Sequence, residues 1–547
     1  MLQSGLEKRD YCSCKHVALM QARSNLKSRL KMYRFQREKE LILEEDFDAT
    51  KASLMEAIAV EEIASSKILA KFIELFISRK RFADALELIS ASLKKSSKNA
   101  HLFWLRAYCY AQGGDLSKAI ENASLSLEIS PNQAVVSLNL AVWKSRSATD
   151  GLQIKNFFEE HSRKHLDKLI DKAEPLDINE YKNNKKIRIG YVSGDLKNHS
   201  VRYFIEPFLR FYSRSDFEVH AFMTMQPDEI SNILGKLVDK WHDVRDLPDS
   251  ELFELIRRER IHILVDLSGH TEGSRLEVFA MRAAPVQVTW FGFMQTLGMQ
   301  AIDYRFSDHS VTPEDSDKFY TEKLYRLKCM ASYMPPVNAD VIHSMPFNEN
   351  GFMTMVSLNE PRKINDEVLE VWQRLHSSRG DVGLIIISNE HDKEAAINQL
   401  EPKLSRHNFD RSRVLVHPRM TMREFLGISS VADFALDTFP VSGGTVTLHS
   451  LWIGLPTLTL KYTGDTAANN SAASTMSGVG MNECVASSPD EYLSIGLDWL
   501  NNPGLVEELR RSCRPMLQAS ELMDYRARIS EVESAYQKMW QERIETS

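Results

Sequence analysis

From residue 187 to 460 the chain alternates apolar, β-branched runs with amphipathic stretches, and it does so twice. "KIRIGYVSGDL" leads into "YFIEPFLRFYS", then "FEVHAFMTM", then "ELFELIRRERIHILVDLSGHT" and "VQVTWFGF". The pattern restarts at "GFMTMVSL" and continues through "VGLIIIS", "RVLVHP", "DFALDTF" and "PTLTL". Strands separated by helices of about ten to fifteen residues run parallel, because each crossover must carry the chain back to the starting edge. Two parallel sheets covered by helices are therefore expected.

In open parallel sheets ligands bind beyond the C-terminal strand ends, so the residues just after each run are the candidates. In the first half these are Asn198 and His199, then Asp266, Gly269 and His270, then Gly292, Phe293 and Thr296. In the second half they are Asn359 and Lys363, then Gly443, Gly444 and Thr445. The last three fall in "DFALDTFPVSGGTVTLHSLWIGLPTLTL", where a strand hands over to a helix through two glycines and a hydroxyl. Such a turn lets backbone N–H groups approach an anion, although by itself it equally describes an ordinary tight turn. His262, at the start of an apolar run, reads as structural.

Ahead of these halves, residues 20 to 145 are rich in Ala, Leu, Lys and Glu, with apolar residues at helical spacing and no proline before Pro131. "RFADALELISASLKK" and "DLSKAIENASLSLEIS" superpose at an offset of about 34, the tetratricopeptide period, pairing Phe82 with Leu116, Ala85 with Ala119 and Leu93 with Leu127. Phe103, Ala107 and Tyr110 fall on a first helix, Gly114 and Asp115 on the turn, Ala119 on a second helix, and Pro131 closes the unit. A plain helical bundle is the alternative; in both cases these residues pack, and a short repeat array serves as a protein-binding surface or a dimer contact. Phe157 to Lys186 loses apolar periodicity and ends in "EPLDINEYKNNKK", which reads as a linker.

The remaining composition removes several function classes. A net charge of −7 over 547 residues provides no basic field for nucleic acid. No run reaches the length of a membrane span and no signal-peptide pattern opens the chain, so a cytoplasmic protein is expected. The cysteines, Cys12, Cys14, Cys109, Cys329, Cys484 and Cys513, are scattered as in a reducing compartment. Cys12, Cys14 and His16 lack the second pair that a closed zinc site requires, and no metal is expected.

The segments "IRIGYVSGDLKNHS", "IHILVDLSGHTEGSRLEVFAMRAAPVQVTWFGFMQTLGMQAIDYRFSD", "SLNEPRKIND" and "ADFALDTFPVSGGTVTLHSLWIGLP" resemble the O-GlcNAc transferase and SPINDLY-type glycosyltransferases, glycosyltransferase family forty-one. The resemblance covers essentially the whole chain, repeats included. It implies an α-helical TPR-like domain followed by an α/β GT-B fold, two Rossmann-like domains facing a cleft. The expected division is a helical domain at 1–150, a linker at 151–186, an acceptor-side half at 187–345 and a nucleotide-sugar half at 346–547. It also implies that the Gly443-Gly444-Thr445 turn and its helix hold the diphosphate of a nucleotide sugar.

Lys363 stands at the family's phosphate-binding lysine; the alternative is a solvated charge at a helix start. His199 matches the active-site histidine, as proton acceptor or as an orienting group, with a helix-capping histidine as the bland alternative. Gly292, Asn359, Glu360, His449 and Thr466 are expected to meet the donor, and Asp266, His270, Phe293 and Thr296 to line the cleft. The chain departs from the family where Gly444 replaces a histidine, Val446 a threonine and His449 the acidic ribose contact. Phe425 and Ile428 stand where basic side chains flank the base, Asn470 where an arginine is common, and Glu360 in place of a glutamine. Phe293-Met294-Gln295-Thr296 replaces the usual Tyr-Pro-Gly-Thr.

The expected function is transfer of a sugar, GlcNAc from UDP-GlcNAc foremost, to a protein side chain, metal-independent and inverting, without a cofactor. The acceptor would dock on the repeats, which could also pair two copies. The alternatives are a scaffold with a degenerate transferase half, a different nucleotide-sugar donor, and a glycan or lipid-carrier acceptor.

Overall fold

The computed structural model describes residues 46–59, 67–148, 150–182, 184–336, 344–462 and 466–546. Cys12, Cys14 and His16 lie outside them. The chain divides into a unit ending at Trp143 and a larger one from Lys144 to Ser547.

The first unit is helical. Helices Phe82–Lys95 and Leu116–Ile129 begin at the same 34-residue offset as Ala100–Gln112 and Ala134–Ser147, so the sequence repeat is a structural one. Ala85 and Ala119 are both fully buried, the small side chains that let paired helices approach. Gly114 adopts φ 82° in the turn, a left-handed conformation that a side chain would strain, and Asp115 then caps the next helix by accepting from Lys118 N at 3.1 Å.

The larger unit contains two parallel sheets. The first is built from β1 (Ile187–Ser193), β2 (Phe217–Met223), β3 (Lys240–Asp243), β4 (Ile263–Asp266), β5 (Val286–Thr289), β6 (Tyr304–Asp308) and β7 (Lys323–Leu327), in the order β3-β2-β1-β4-β5-β6-β7. The second is built from β8 (Thr354–Ser357), β9 (Gly383–Ile387), β10 (Val414–His417), β11 (Phe434–Leu436), β12 (Thr457–Leu460) and β13 (Val485–Ala486), in the order β10-β9-β8-β11-β12-β13. Both follow the doubly wound arrangement in which the chain reverses direction across the sheet after its third strand. The reversal opens crevices at β1/β4 and at β8/β11, and His199, Asp266, Asn359, Lys363 and Gly443 lie at the ends of these strands or in the loops that leave them. β3, β6, β7 and β13 escape a reading based on apolar runs because they are short, polar or half-buried; β3 reads Lys-Trp-His-Asp.

Two stretches lie differently from expectation. Residues 151–186 are not a plain linker: Gly151–His165 is a helix with Ile154, Phe158, His161 and Ser162 buried. Its apolar side chains are spaced for one narrow contact, which an average over the stretch conceals. Phe158 stacks on His270 at 5.1 Å and meets Phe293 edge-on at 5.5 Å. The helix Tyr525–Glu545, expected in the nucleotide-sugar half, packs on the first sheet. Its Ile529, Val532, Ala535, Tyr536 and Met539 join the core of Ile189, Tyr191 and Val219, and the Tyr304 hydroxyl donates to Glu542 at 2.7 Å.

Because Phe158 is fully buried in this contact, Phe158→Ala is expected to destabilise the larger unit by about 3–5 kcal/mol, read from denaturant midpoints. A loss below about 0.5 kcal/mol, usual for an exposed linker position, would contradict the packing.

Candidate functional site

Asp437 ends the run "DFALD" one residue past β11 and is 1 % exposed. Its Oδ1 accepts from Asn359 Nδ2 at 2.9 Å and from Gly443 N at 2.7 Å, and its Oδ2 accepts the Thr459 hydroxyl at 2.6 Å. One carboxylate thus ties the loop after β8, the glycine turn after β11, and β12. Burial pushes its pKa up, against which these donors and Lys363 favour the charged form. Gly443 accepts no side chain, since a Cβ would lie 2.9 Å from Thr447 Oγ1 and 3.0 Å from Asp437 Oδ1.

Lys363 is carried by the short 3₁₀ turn Pro361–Lys363, whose proline presets the backbone at its first position. Its Nζ donates to the Ser442 carbonyl at 2.7 Å, immediately before the glycines. Burial lowers its pKa, countered by Asp437 and Glu360. The residue lies ahead of Asn365, which caps the helix Asp366–Ser377 through Val368 N and also donates to the Phe439 carbonyl at 2.7 Å. Asn359 Oδ1 and Thr447 Oγ1 are buried without a hydrogen-bond partner among the described residues, so the turn keeps unused polar capacity. Thr445 opens the helix Thr445–Trp452, whose first N–H groups face no preceding turn. A Cβ on Gly444 would meet nothing within 4 Å.

Arg146 joins this group from the last turn of Ala134–Ser147, with no signal in the local sequence beyond its charge. Burial depresses its pKa, and it interacts electrostatically with Arg362, Glu360 and Lys363. Glu360 is engaged by Arg362 in an ion pair and so is committed within the turn.

In the first half, His199 Nδ1 lies 3.5 Å from Asp195 Oδ1 and 3.4 Å from Val201 N, and the side chain is 44 % exposed. Burial lowers its pKa while Asp195 opposes the shift, so a neutral ring prevails near pH 7. Nδ1 accepts the Val201 N–H, so the neutral ring carries its proton on Nε2, and Asp195 acts on the ring through its charge. Asp195 was missed; its position four residues before His199 was the available signal.

Other candidates face inward. Asp266 accepts from Ser268 N, Gly269 N and the Thr289 hydroxyl, and Thr296 donates to Glu322 at 2.6 Å. His270 Nε2 meets the Leu297 carbonyl at 2.9 Å. All are buried and hydrogen-bonded in or beside the loops that follow β4 and β5. Phe293 is half-buried against Phe158 and His270. A Cβ on Gly292 would fall 1.8 Å from the Leu267 carbonyl oxygen, so glycine there permits two loops to cross. Thr466, buried, donates to Asn469 at 2.6 Å beside the bond from Ala467 N to Tyr320. His262, as expected, is structural: its Nδ1 accepts from Arg188 N at 3.1 Å and its Nε2 meets the Tyr181 carbonyl.

His449 and Ile428, expected near the ribose and the base, are both buried among side chains. His449 is 4 % exposed, its Nδ1 lies 2.6 Å from the Tyr333 hydroxyl, and Tyr203 meets the ring edge-on at 4.6 Å. Burial pushes its pKa down to about 4, so the ring is neutral and shares one hydrogen bond with the Tyr333 hydroxyl. It joins the two halves through an aromatic socket. Ile428 is 3 % exposed in the core with Val356 and Ile453; Phe425 packs on this core and on His449. Asn470 is buried on the helix Ala467–Gly478.

The model of "Glycosyl transferase family 41" matches residues 152–334 and 348–532. The chain belongs to this family. The match begins inside the helix Gly151–His165, so that helix lies within the family's region and not in a connector. Among relatives, a rice (Oryza sativa subsp. japonica) protein named probable UDP-N-acetylglucosamine--peptide N-acetylglucosaminyltransferase SPINDLY is 32% identical over 65% of this chain and 39% of its own length. An Arabidopsis thaliana protein of the same name is 31% identical over 65% of this chain and 40% of its own. The chain thus spans about two fifths of the length of these curated relatives. The solved structure of a mutant Thermobaculum terrenum O-GlcNAc transferase matches with a TM-score of 0.78 and 28% identity, covering 94% of this chain and 98% of that one. GT-B architecture follows from this likeness together with the two doubly wound sheets. Among the described residues, no helix is long and apolar enough to cross a membrane.

Burial drives His161 to about 3 and His262, His270 and His449 to about 4. In the unfolded chain these rings regain a value near 6.5, so between that pH and 4 the unfolded state binds more protons. Their contribution to stability is complete above pH 6.5 and is lost as pH falls toward 4. Each group contributes a slope of up to about 1.4 kcal/mol per pH unit. Urea midpoints at pH 7.5, 6 and 5 should show this, and His270→Gln, which retains a donor for Leu297, should flatten the slope by one group. An unchanged slope in His270→Gln would place the titration elsewhere.

Proposed function

We propose that this chain is a nucleotide-sugar-dependent protein glycosyltransferase, with UDP-GlcNAc as donor, a protein side-chain hydroxyl as acceptor, and no metal or other cofactor in the transfer. The observation that carries this reading is Lys363, held 2.7 Å from the Ser442 carbonyl at a glycine turn that Asp437 pins to the second sheet. The names of the rice and Arabidopsis relatives support the sugar, the nucleotide and the peptide acceptor.

In this reading the diphosphate rests on the N–H groups at the start of Thr445–Trp452, with the Lys363 ammonium and the Thr445 hydroxyl on its oxygens. The acceptor oxygen attacks the anomeric carbon from the face opposite the diphosphate, and the bond from that carbon to the phosphate oxygen breaks. The electron pair leaves with the nucleoside diphosphate, whose growing negative charge Lys363 stabilises. The acceptor proton passes to a base, for which His199 and Asp195 form the available pair; one displacement inverts the anomeric centre. Asp437 keeps Lys363 and the turn in place and touches no substrate. The repeats dock the acceptor polypeptide or a second copy of the chain, and the protein works in the cytoplasm.

Lys363→Ala should lower turnover about a hundred- to a thousandfold in a donor-hydrolysis or peptide-transfer assay, with an unchanged unfolding midpoint. Near wild-type turnover would remove the lysine from the mechanism. Arg146→Ala should weaken UDP binding measured by calorimetry, because it removes a cation from the same electrostatic neighbourhood; unchanged affinity would leave Arg146 outside the donor site.

A second reading, a donor other than UDP-GlcNAc, is favoured by the open space at Gly444, where the family has a histidine side chain. Competition binding with UDP, GDP and CMP separates the two. Exclusive binding of GDP or CMP would overturn the UDP assignment without touching the reaction class.

A further inference from the structure

Along β2 successive side chains alternate between faces, so Glu218, His220 and Phe222 share one. Parallel pairing sets His220 beside Lys240 and Phe222 beside His242, which brings His242 of the edge strand β3 onto the same face. Glu259 arrives from the residue that ends the helix Asp249–Arg258. Among the described residues, His220, His242 and Glu259 place one ligand atom each within 4.8 Å of one another.

The detailed geometry is that of a cation site. His220 Nε2 lies 2.8 Å from Glu218 Oε1, so its proton is directed to that carboxylate and Nδ1 keeps its lone pair. Nδ1 in turn lies 3.4 Å from His242 Nε2 and 3.8 Å from Glu259 Oε2. Two imidazole nitrogens about 2.0–2.1 Å from a tetrahedral zinc are separated by roughly 3.3–3.4 Å, so the pair already spans one edge of the coordination polyhedron. That spacing is long for a ring-to-ring hydrogen bond. The outer carboxylate behind His220 completes a carboxylate–histidine pair of the kind that orients metal ligands.

Lys240 is the local competitor. Its Nζ lies 2.6 Å from Glu259 Oε2 and 3.9 Å from Glu218 Oε1, and its side chain is 45 % exposed, so it can swing into solvent when a dication takes its place. Arg188 faces Glu218 at 3.3 Å from another direction.

We propose that His220, His242 and Glu259 form a three-ligand site for a divalent transition-metal cation of the zinc class, with water as fourth ligand, clamping β3 and the helix Asp249–Arg258 onto β2. Its elements sit at the edge of the first sheet, and it takes no part in the transfer chemistry proposed above. Binding to the folded state alone would raise the melting temperature with cation concentration.

The test uses the full chain, stripped with chelator and titrated with Zn²⁺ by calorimetry and with Co²⁺ by visible absorption. The expected result is one tight site per chain, with four-coordinate cobalt bands and no thiolate-to-cobalt charge-transfer band, which would instead implicate cysteines. Glu259→Gln and His242→Ala should each weaken binding at least tenfold, and Glu218→Gln about ten- to a hundredfold through the orientation of His220. Lys240→Met should tighten it, since the competing ammonium is gone; adventitious binding at surface histidines would not respond. His407→Ala, which removes a half-buried histidine paired with Asp366 outside the site, is the control and should change nothing. The proposal is overturned if no stoichiometric binding occurs, or if Lys240→Met and Glu259→Gln, each checked for a native unfolding transition, leave the affinity unchanged.

Discussion

A buried carboxylate that satisfies three separate segments is the fixed point of the second half. Asp437 would be costly in this position without partners, and it is retained because Asn359, Gly443 and Thr459 all donate to it. The same bonds decide where the glycine turn stands relative to the loop after β8. Lys363 belongs to that loop, so its reach to the Ser442 carbonyl is a consequence of the Asp437 network. A cation preorganised in this way needs no rearrangement when charge develops on a leaving group, which is the condition for electrostatic catalysis.

The two halves are joined as much by aromatic contacts as by chain connectivity. His449 enters a socket made by Tyr203 and Tyr333 of the first half, and the helix Tyr525–Glu545 returns to cover the first sheet. His449, expected at the ribose, thus ties the two halves to each other. Phe158 and His161 act similarly behind Phe293 and His270, which makes the helix Gly151–His165 part of the larger unit's core. Neutral, buried histidines recur in these contacts because an imidazole can accept or donate one hydrogen bond while packing as a flat apolar ring, provided that it stays uncharged.

Much of this was legible in the residues alone. The alternation of β-branched runs and amphipathic stretches specifies parallel sheets, since the period of each run is a local property of the chain. The 34-residue offset specifies paired helices for the same reason, and Ala85 and Ala119 are buried as that repeat requires. Lys363, Gly443 and Thr445 could be singled out because they follow strand ends, and the order of the strands puts those ends at the crevices. β3 and β6 could not be read, because their residues are strand-like only once a neighbour supplies the hydrogen bonds.

Sequence by itself therefore determined the fold class, the repeat and the loops from which a site could be built, all of which depend on spacing along the chain. Tertiary structure alone decided which side chains in those loops are free. Asp266, His270, Thr296 and His449 have the chemistry of site residues, yet each is bonded to a partner distant in sequence: Thr289, Leu297, Glu322 and Tyr333. Arg146 and Asp195 gained relevance through proximity to Lys363 and His199. The physical reason is that a polar group's role depends on whether the fold has already satisfied it, and partners across 23 to 116 positions of chain leave no trace in local spacing.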